Sequence, residues 1–231
     1  DLYLGTNSSF EVKNGAIFNF GFAADNTTAL NIIRVSSPTL RSGQTFSAIS
    51  GSTLKLTSPL GITSSGTYTG NVQIGAAATN RTLDAGATYH YIGKANQVSG
   101  NGLPNAITGK VIVEMDTDAL TFNASTNKTL NTGGTLEIRK GIVVDDSTNS
   151  FGDAASNTAN LTMSGGRYKI SKTGTQPAFS GTYNLTAGVV EYANSQTTAE
   201  TVRTKSYQNI EITGNNVGNS GGNITLNDNG T

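Results

Sequence analysis

Gly51-Ser52-Thr53-Leu54-Lys55-Leu56 is a turn residue followed by apolar side chains at every second position, and the chain returns to this pattern repeatedly. Gly70-Asn71-Val72-Gln73-Ile74, Gly109-Lys110-Val111-Ile112-Val113, Gly134-Thr135-Leu136-Glu137-Ile138 and Gly222-Asn223-Ile224-Thr225-Leu226 repeat it. A period of two places the apolar residues on one face of a strand and leaves the other face wet, while Gly and Asn supply turns that need positive φ. Further strands are expected at 10–12, 16–20, 30–35, 89–91, 161–163, 168–170, 183–185, 189–192 and 210–212. Turns are expected at Asn14-Gly15, Ser42-Gly43, Gly100-Asn101-Gly102, Gly165-Gly166 and Gly221-Gly222. No window sustains a helical period without interruption by Gly, Pro or a β-branched residue, so the fold class is all-β.

Spacing separates two all-β architectures. Hairpins of a β-sandwich recur at about 8–12 residues, whereas a β-helix coil returns to the same face after roughly 20 or more. Both periods occur here. Tyr91 precedes Val111, and Tyr192 precedes Ile210, by about twenty positions, and the run 86–91 ahead of 111–113 parallels 188–192 ahead of 210–212. The reading is a parallel β-helix (β-solenoid) over 1–231 as one continuous domain, with tandem β-sandwiches as the alternative. Coils of ~22 residues stacked at ~4.8 Å would give on the order of ten coils and a rod of roughly 50 Å.

Composition narrows the function classes. Charged residues are 13% of the chain, and 28 glycines accompany only 4 prolines, so turns are abundant and ion pairs scarce. With 35% hydrophobic residues and eight each of Tyr and Phe, there is apolar material for a narrow continuous core. Fifteen basic residues balance fifteen acidic ones, so no field of one sign attracts nucleic acid or an anionic membrane. No apolar run approaches the ~20 residues of a membrane-spanning helix, and Asp1-Leu2-Tyr3-Leu4 lacks a signal-peptide pattern. The expectation is a soluble chain, either a mature form or an excerpt. The absence of cysteine removes disulfides, thiolate metal sites and cysteine nucleophiles together.

The run 86–104, Gly-Ala-Thr-Tyr-His-Tyr-Ile-Gly-Lys-Ala-Asn-Gln-Val-Ser-Gly-Asn-Gly-Leu-Pro, resembles a repeat unit of very large surface and secreted proteins of Bacteroidota. Its signature positions are Tyr89, Tyr91, Gly93, Gln97, Gly100, Gly102, Leu103 and Pro104. The segments 61–66 with 70–73, 161–168 and 182–188 fit the same pattern, so the similarity spans roughly residues 51–226. The resemblance implies a right-handed parallel β-helix, export by the type IX secretion machinery, an extracellular or cell-surface location, and an adhesive role as stalk or fibre body. The family's C-terminal sorting domain and an N-terminal cap are not recognisable, so a segment of a longer polypeptide is expected. Its partners would be other segments of that polypeptide, the secretion machinery, and surface glycans or environmental surfaces. Asp146-Ser147-Thr148 resembles the O-glycosylation site used in Bacteroidota, which marks Ser147.

Catalytic chemistry finds little support. His90 is the only histidine, and alternation sends it to the face opposite Tyr89 and Tyr91, so a solvent-facing or packing role is expected. Glu114-Met115-Asp116-Thr117-Asp118 and Asp145-Asp146 could supply oxygen ligands or paired carboxylates, but a solvated turn after Val113 is the preferred reading of the first. Asn227-Asp228-Asn229-Gly230 lacks the acidic residue that completes a calcium loop and reads as a turn. Tyr89, Tyr91, Tyr168, Tyr183 and Tyr192 read as core or edge stacking rather than a sugar platform, and Thr63-Ser64-Ser65 and Thr197-Thr198 are too irregular for ligand arrays. Asparagines at turns are expected to stack between coils. No cofactor or metal is expected. The function expected is non-catalytic and structural or adhesive, the alternative being a carbohydrate-binding or polysaccharide-cleaving β-helix.

Overall fold

The computed structural model describes residues 2–4, 8–21, 33–35, 44–63, 70–73, 81–122, 128–146, 151–153, 158–194, 200–215, 217–219 and 225–226. Among them the structure is all-β with no helix, and every strand pairing is parallel. The principal sheet runs in sequence order through Ile17–Asn19, Thr53–Leu56, Thr88–Tyr91, Lys110–Thr121, Thr135–Asp146, Asn160–Ser171, Tyr183–Tyr192 and Ile210–Ile212, with Gln97–Val98 beside Lys110–Thr121. Smaller sheets keep the same sequential order, among them Ser9–Val12, Thr45–Ala48, Arg81–Leu83 and Gly174–Gln176, Glu200–Val202, Val217–Asn219.

The register shows what the spacing meant. Tyr91 lies opposite Val113, and Tyr192 lies opposite Ile212, so the intervals of about twenty residues separate neighbouring strands of one sheet. Apolar residues are thereby stacked in files. Leu54, Tyr89, Val111, Leu136 and Leu161 form one, and Leu56, Tyr91, Val113, Ile138 and Met163 another, all at most 1% exposed. One hydrophobic cluster extends from Val12 to Tyr207. Each fully buried Leu, Ile or Val in it contributes about 1.5–3 kcal/mol relative to exposure. Tandem sandwiches need antiparallel hairpins and separate cores, so that alternative is withdrawn.

Two local expectations are corrected. Gly165-Gly166 is not a turn between two short strands, because Asn160–Ser171 is a single strand of 12 residues, as are Lys110–Thr121 and Thr135–Asp146. The acidic stretch 114–118 is likewise inside a strand, with Met115 fully buried and the register shifting on either side of Glu114. Such shifts mark a bulge, which bends a strand without ending it. On the neighbouring strands the bend is made by Gly141, Gly166 and Gly188, at φ of 79°, 66° and 88°. Each precedes a residue of the paired set Ile142, Arg167 and Val189, so the three stack at one corner.

Asparagine side chains bridge to the main chain. Asn71 Oδ1 accepts from the amides of Thr57 (3.0 Å) and Ser58 (2.9 Å), its Nδ2 donates to Thr57 Oγ1, and Asn160 Oδ1 accepts from the Thr182 amide. Asn71 is fully buried, so Asn71→Ala leaves two amides without acceptors and lowers unfolding free energy by about 1–3 kcal/mol in urea denaturation. An unchanged midpoint would show that water replaces those bonds.

Candidate functional site

The signature residues come together, and what they build is a buckle. Gln97 is buried, its Oε1 accepting from the Gly93 amide at 2.7 Å and its Nε2 donating to the Ser58 carbonyl at 2.7 Å. A Cβ at Gly93 would stand 2.4 Å from the Gln97 side chain, so a larger residue there would push that amide off its bonds. Gly100 adopts φ 78° against the Ile62 carbonyl, and the Gly102 amide donates to that carbonyl at 2.8 Å. Leu103 is buried and Pro104 half-buried. Tyr91 donates its hydroxyl proton to the Ser99 carbonyl at 2.7 Å, and Tyr89 donates to that of Asp84 at 2.9 Å. The signature residues therefore close a loop onto the preceding layer, their polar side chains bonded inward. Tyr168 and Tyr192 are buried as well and Tyr183 is half-buried, which is the core stacking expected of them.

The outer face of the principal sheet carries the charges. Beside the bulge is a recess of about 240 Å³ lined by Lys55, Ile92, Gly93, Lys94, Glu114, Asp116 and Lys140. Ion pairs run along it: Arg139 reaches Glu114 (3.1 Å) and Glu137 (2.7 Å), and Lys140 reaches Asp116 (3.2 Å). Lys55 forms no ion pair among the described residues. The acids singled out in the sequence thus converge with lysines on one face, although Asp116 and Lys140 are largely exposed and their pairing is worth about 0–1 kcal/mol. No group of three or more His, Asp or Glu side chains is placed to hold a metal among the described residues.

His90 sits under this face, nearly fully buried, with Nε2 at 2.9 Å from Glu114 Oε2. It packs rather than facing solvent. Burial lowers its pKa below 6.5, with Arg139 and Lys55 adding to the shift and Glu114 opposing it. A base with a depressed pKa takes up its proton more readily in the unfolded chain, so its contribution to stability is lost as pH falls below 6.5. His90→Gln is expected to flatten that limb of the thermal-unfolding profile, and an unchanged slope would show that other groups cause it.

A second polar group lies inside the core. Asp145 and Asp146 point to opposite faces: Asp145 is fully buried and Asp146 half-exposed, so they form no carboxylate pair. Asp145 accepts from Lys172 Nζ (2.7 Å), the Tyr168 hydroxyl (2.6 Å) and the Phe151 amide (3.2 Å). Lys172 also donates to the Phe151 carbonyl at 3.0 Å. Burial raises the Asp145 pKa, against the pull of these donors. Nearby Glu200, also fully buried, accepts from the Asn194 amide at 3.1 Å. Tyr192 and Tyr207 join hydroxyls at 3.0 Å in the same interior, and Tyr192 also donates to the Gln176 carbonyl. Asp145 shares the inward parity of Val143, which was the available signal; Lys172 and Glu200 have none outside the three-dimensional fold.

Ser147, Ser64-Ser65, Thr197-Thr198 and Asn227-Asp228-Asn229-Gly230 lie outside the described residues. Comparison with protein-family models, curated proteins and solved structures returns no match.

Proposed function

We propose that the chain is a right-handed parallel β-helix serving as a non-catalytic stalk or fibre body of a large bacterial surface protein exported by type IX secretion. The observation that carries this reading is the sequence-order parallel ladder from Ile17–Asn19 to Ile210–Ile212 over one continuous apolar seam. In such a ladder each added strand saturates the backbone of the one before and extends the seam by one residue layer, so length grows without a new core. The Gln97 buckle supports the same role, since its bond to the Ser58 carbonyl ties one layer to another, and the glycines let the layers approach closely at the corner. Residues 1–231 then form one segment, joined to others of the same polypeptide, on the extracellular side. An antibody to this segment, applied to intact cells of the source strain, is expected to label wild-type cells and not cells lacking the type IX machinery. Absence of surface labelling in the wild type would reject the reading.

A second reading rests on the recess at Lys55, Lys94, Glu114, Asp116 and Lys140, whose lysines and carboxylates suit an acidic sugar. The burial of Tyr89, Tyr91, Tyr168 and Tyr192 weighs against it, because no ring among them is left to stack on a pyranose. Titration with oligouronates decides: saturable shifts at Lys55 and Gly93, lost in Lys55→Ala, would favour glycan contact. Release of reducing ends would favour cleavage.

A further inference from the structure

We propose that Glu200 is a buried proton-binding latch, which keeps the short strand Glu200–Val202 seated in the core while protonated and loosens it when ionised. Donor supply within the core assigns the proton. Among the described residues Asp145 receives three donors, from Lys172, Tyr168 and the Phe151 amide, whereas Glu200 receives one, from the Asn194 amide on Oε2. The other oxygen, Oε1, is buried with no hydrogen-bond partner among the described residues. A carboxylate in that position would leave a charged acceptor bare, while a neutral acid turns the same oxygen into a donor. Gln176 Oε1, on the paired strand and also buried, lacks a donor among the described residues too.

The charged groups that act on Glu200 are Lys172 and Asp145, and Tyr192 is its titratable neighbour in the core. Two carboxylates therefore face one ammonium, and Lys172 is bonded to Asp145. Burial, with Asp145 adding to it and the Asn194 amide and Lys172 opposing, raises the Glu200 pKa from 4.5 to about 7. That is a roughly 300-fold tighter hold on the proton in the folded chain. The sign follows. A carboxyl with a raised folded pKa stabilises the fold while it is protonated, and this contribution falls from pH 4.5 upward until about 7. The strand it holds is only three residues long and its bonds to neighbouring strands are few, so ionisation acts where local opening costs least.

The test is a carbon-13 NMR titration of glutamate carboxyls in the full chain from pH 4 to 9, read with hydrogen-exchange protection at Thr201 and Val202. Glu200 is expected to titrate near 7, with protection at both amides dropping over the same range and remaining high in Glu200→Gln. His90 slopes stability in the opposite sense below pH 6.5, so the comparison between wild type and Glu200→Gln isolates the latch. Asp145→Asn should move the Glu200 midpoint down, because it removes the opposing carboxylate. A Glu200 midpoint near 4.5, or an equal loss of protection in wild type and Glu200→Gln, would overturn the proposal. The wild-type midpoint decides even if a variant fails to fold.

Discussion

Lys172→Met is expected to lower unfolding free energy by about 3–5 kcal/mol, the cost of leaving one member of a buried ion pair uncompensated. Asp145 is fully buried, and Lys172 is its only ion-pair partner among the described residues. Without the ammonium the carboxylate keeps only the Tyr168 hydroxyl and the Phe151 amide, and the Phe151 carbonyl loses its Lys172 donor. The loss should be largest at high pH, where Asp145 cannot escape by taking up a proton. Adding Asp145→Leu to Lys172→Met should restore much of the stability, since a buried pair replaced whole by apolar groups is often neutral or stabilising. Urea denaturation of the two variants checks both statements. A single variant as stable as the wild type would show that water reaches Asp145.

Gly166→Val should be comparably severe. Gly166 lies at φ 66°, a conformation costing an L side chain about 1–2 kcal/mol. A Cβ there would also stand 2.7 Å from the Gly141 carbonyl oxygen and 2.9 Å from Ile138, which adds about 1–3 kcal/mol of overpacking. The Gly141 carbonyl is main chain and belongs to the next strand, so it cannot swing aside as a side chain could. Gly15→Val is the informative control: its φ is 76°, but a Cβ at that turn meets nothing within 4 Å. It should show the conformational cost alone. Equal losses at the two glycines would mean that the corner does not stack as described.

What could be read in the sequence was whatever repeats with period two or with the strand-to-strand interval. Leu54, Tyr89, Val111 and Leu136 were legible as inward residues because each follows a Gly-led turn and a Thr or Lys, with another apolar residue two positions on. The corner was misread because Gly165-Gly166 looks the same whether a chain turns back or bends and continues. Only the flanking register, with Met163 opposite Leu185 and Arg167 opposite Val189, distinguishes the two. The stretch 114–118 misled for a similar reason. Its carboxylates suggested solvent, and they do face it, but Met115 between them faces the core. The interior polar cluster was illegible because its partners lie on separate strands: Asp145 meets Lys172 and Tyr168, and Glu200 meets Asn194, only once the layers stack.

Because the chain contains no cysteine, the parallel register can be trapped directly with an introduced pair. Lys110 and Thr135 lie opposite each other on neighbouring strands, and Asn160 lies opposite Thr135 on the next strand. Neighbouring strands are ~4.8 Å apart. That separation is within disulfide reach, while two strand spacings exceed the ~7 Å limit. Lys110→Cys with Thr135→Cys is expected to form an intramolecular disulfide under mild oxidation, and Lys110→Cys with Asn160→Cys to stay reduced. Failure of the first pair, or cross-linking of the second in its place, would contradict the stacked parallel order of the strands.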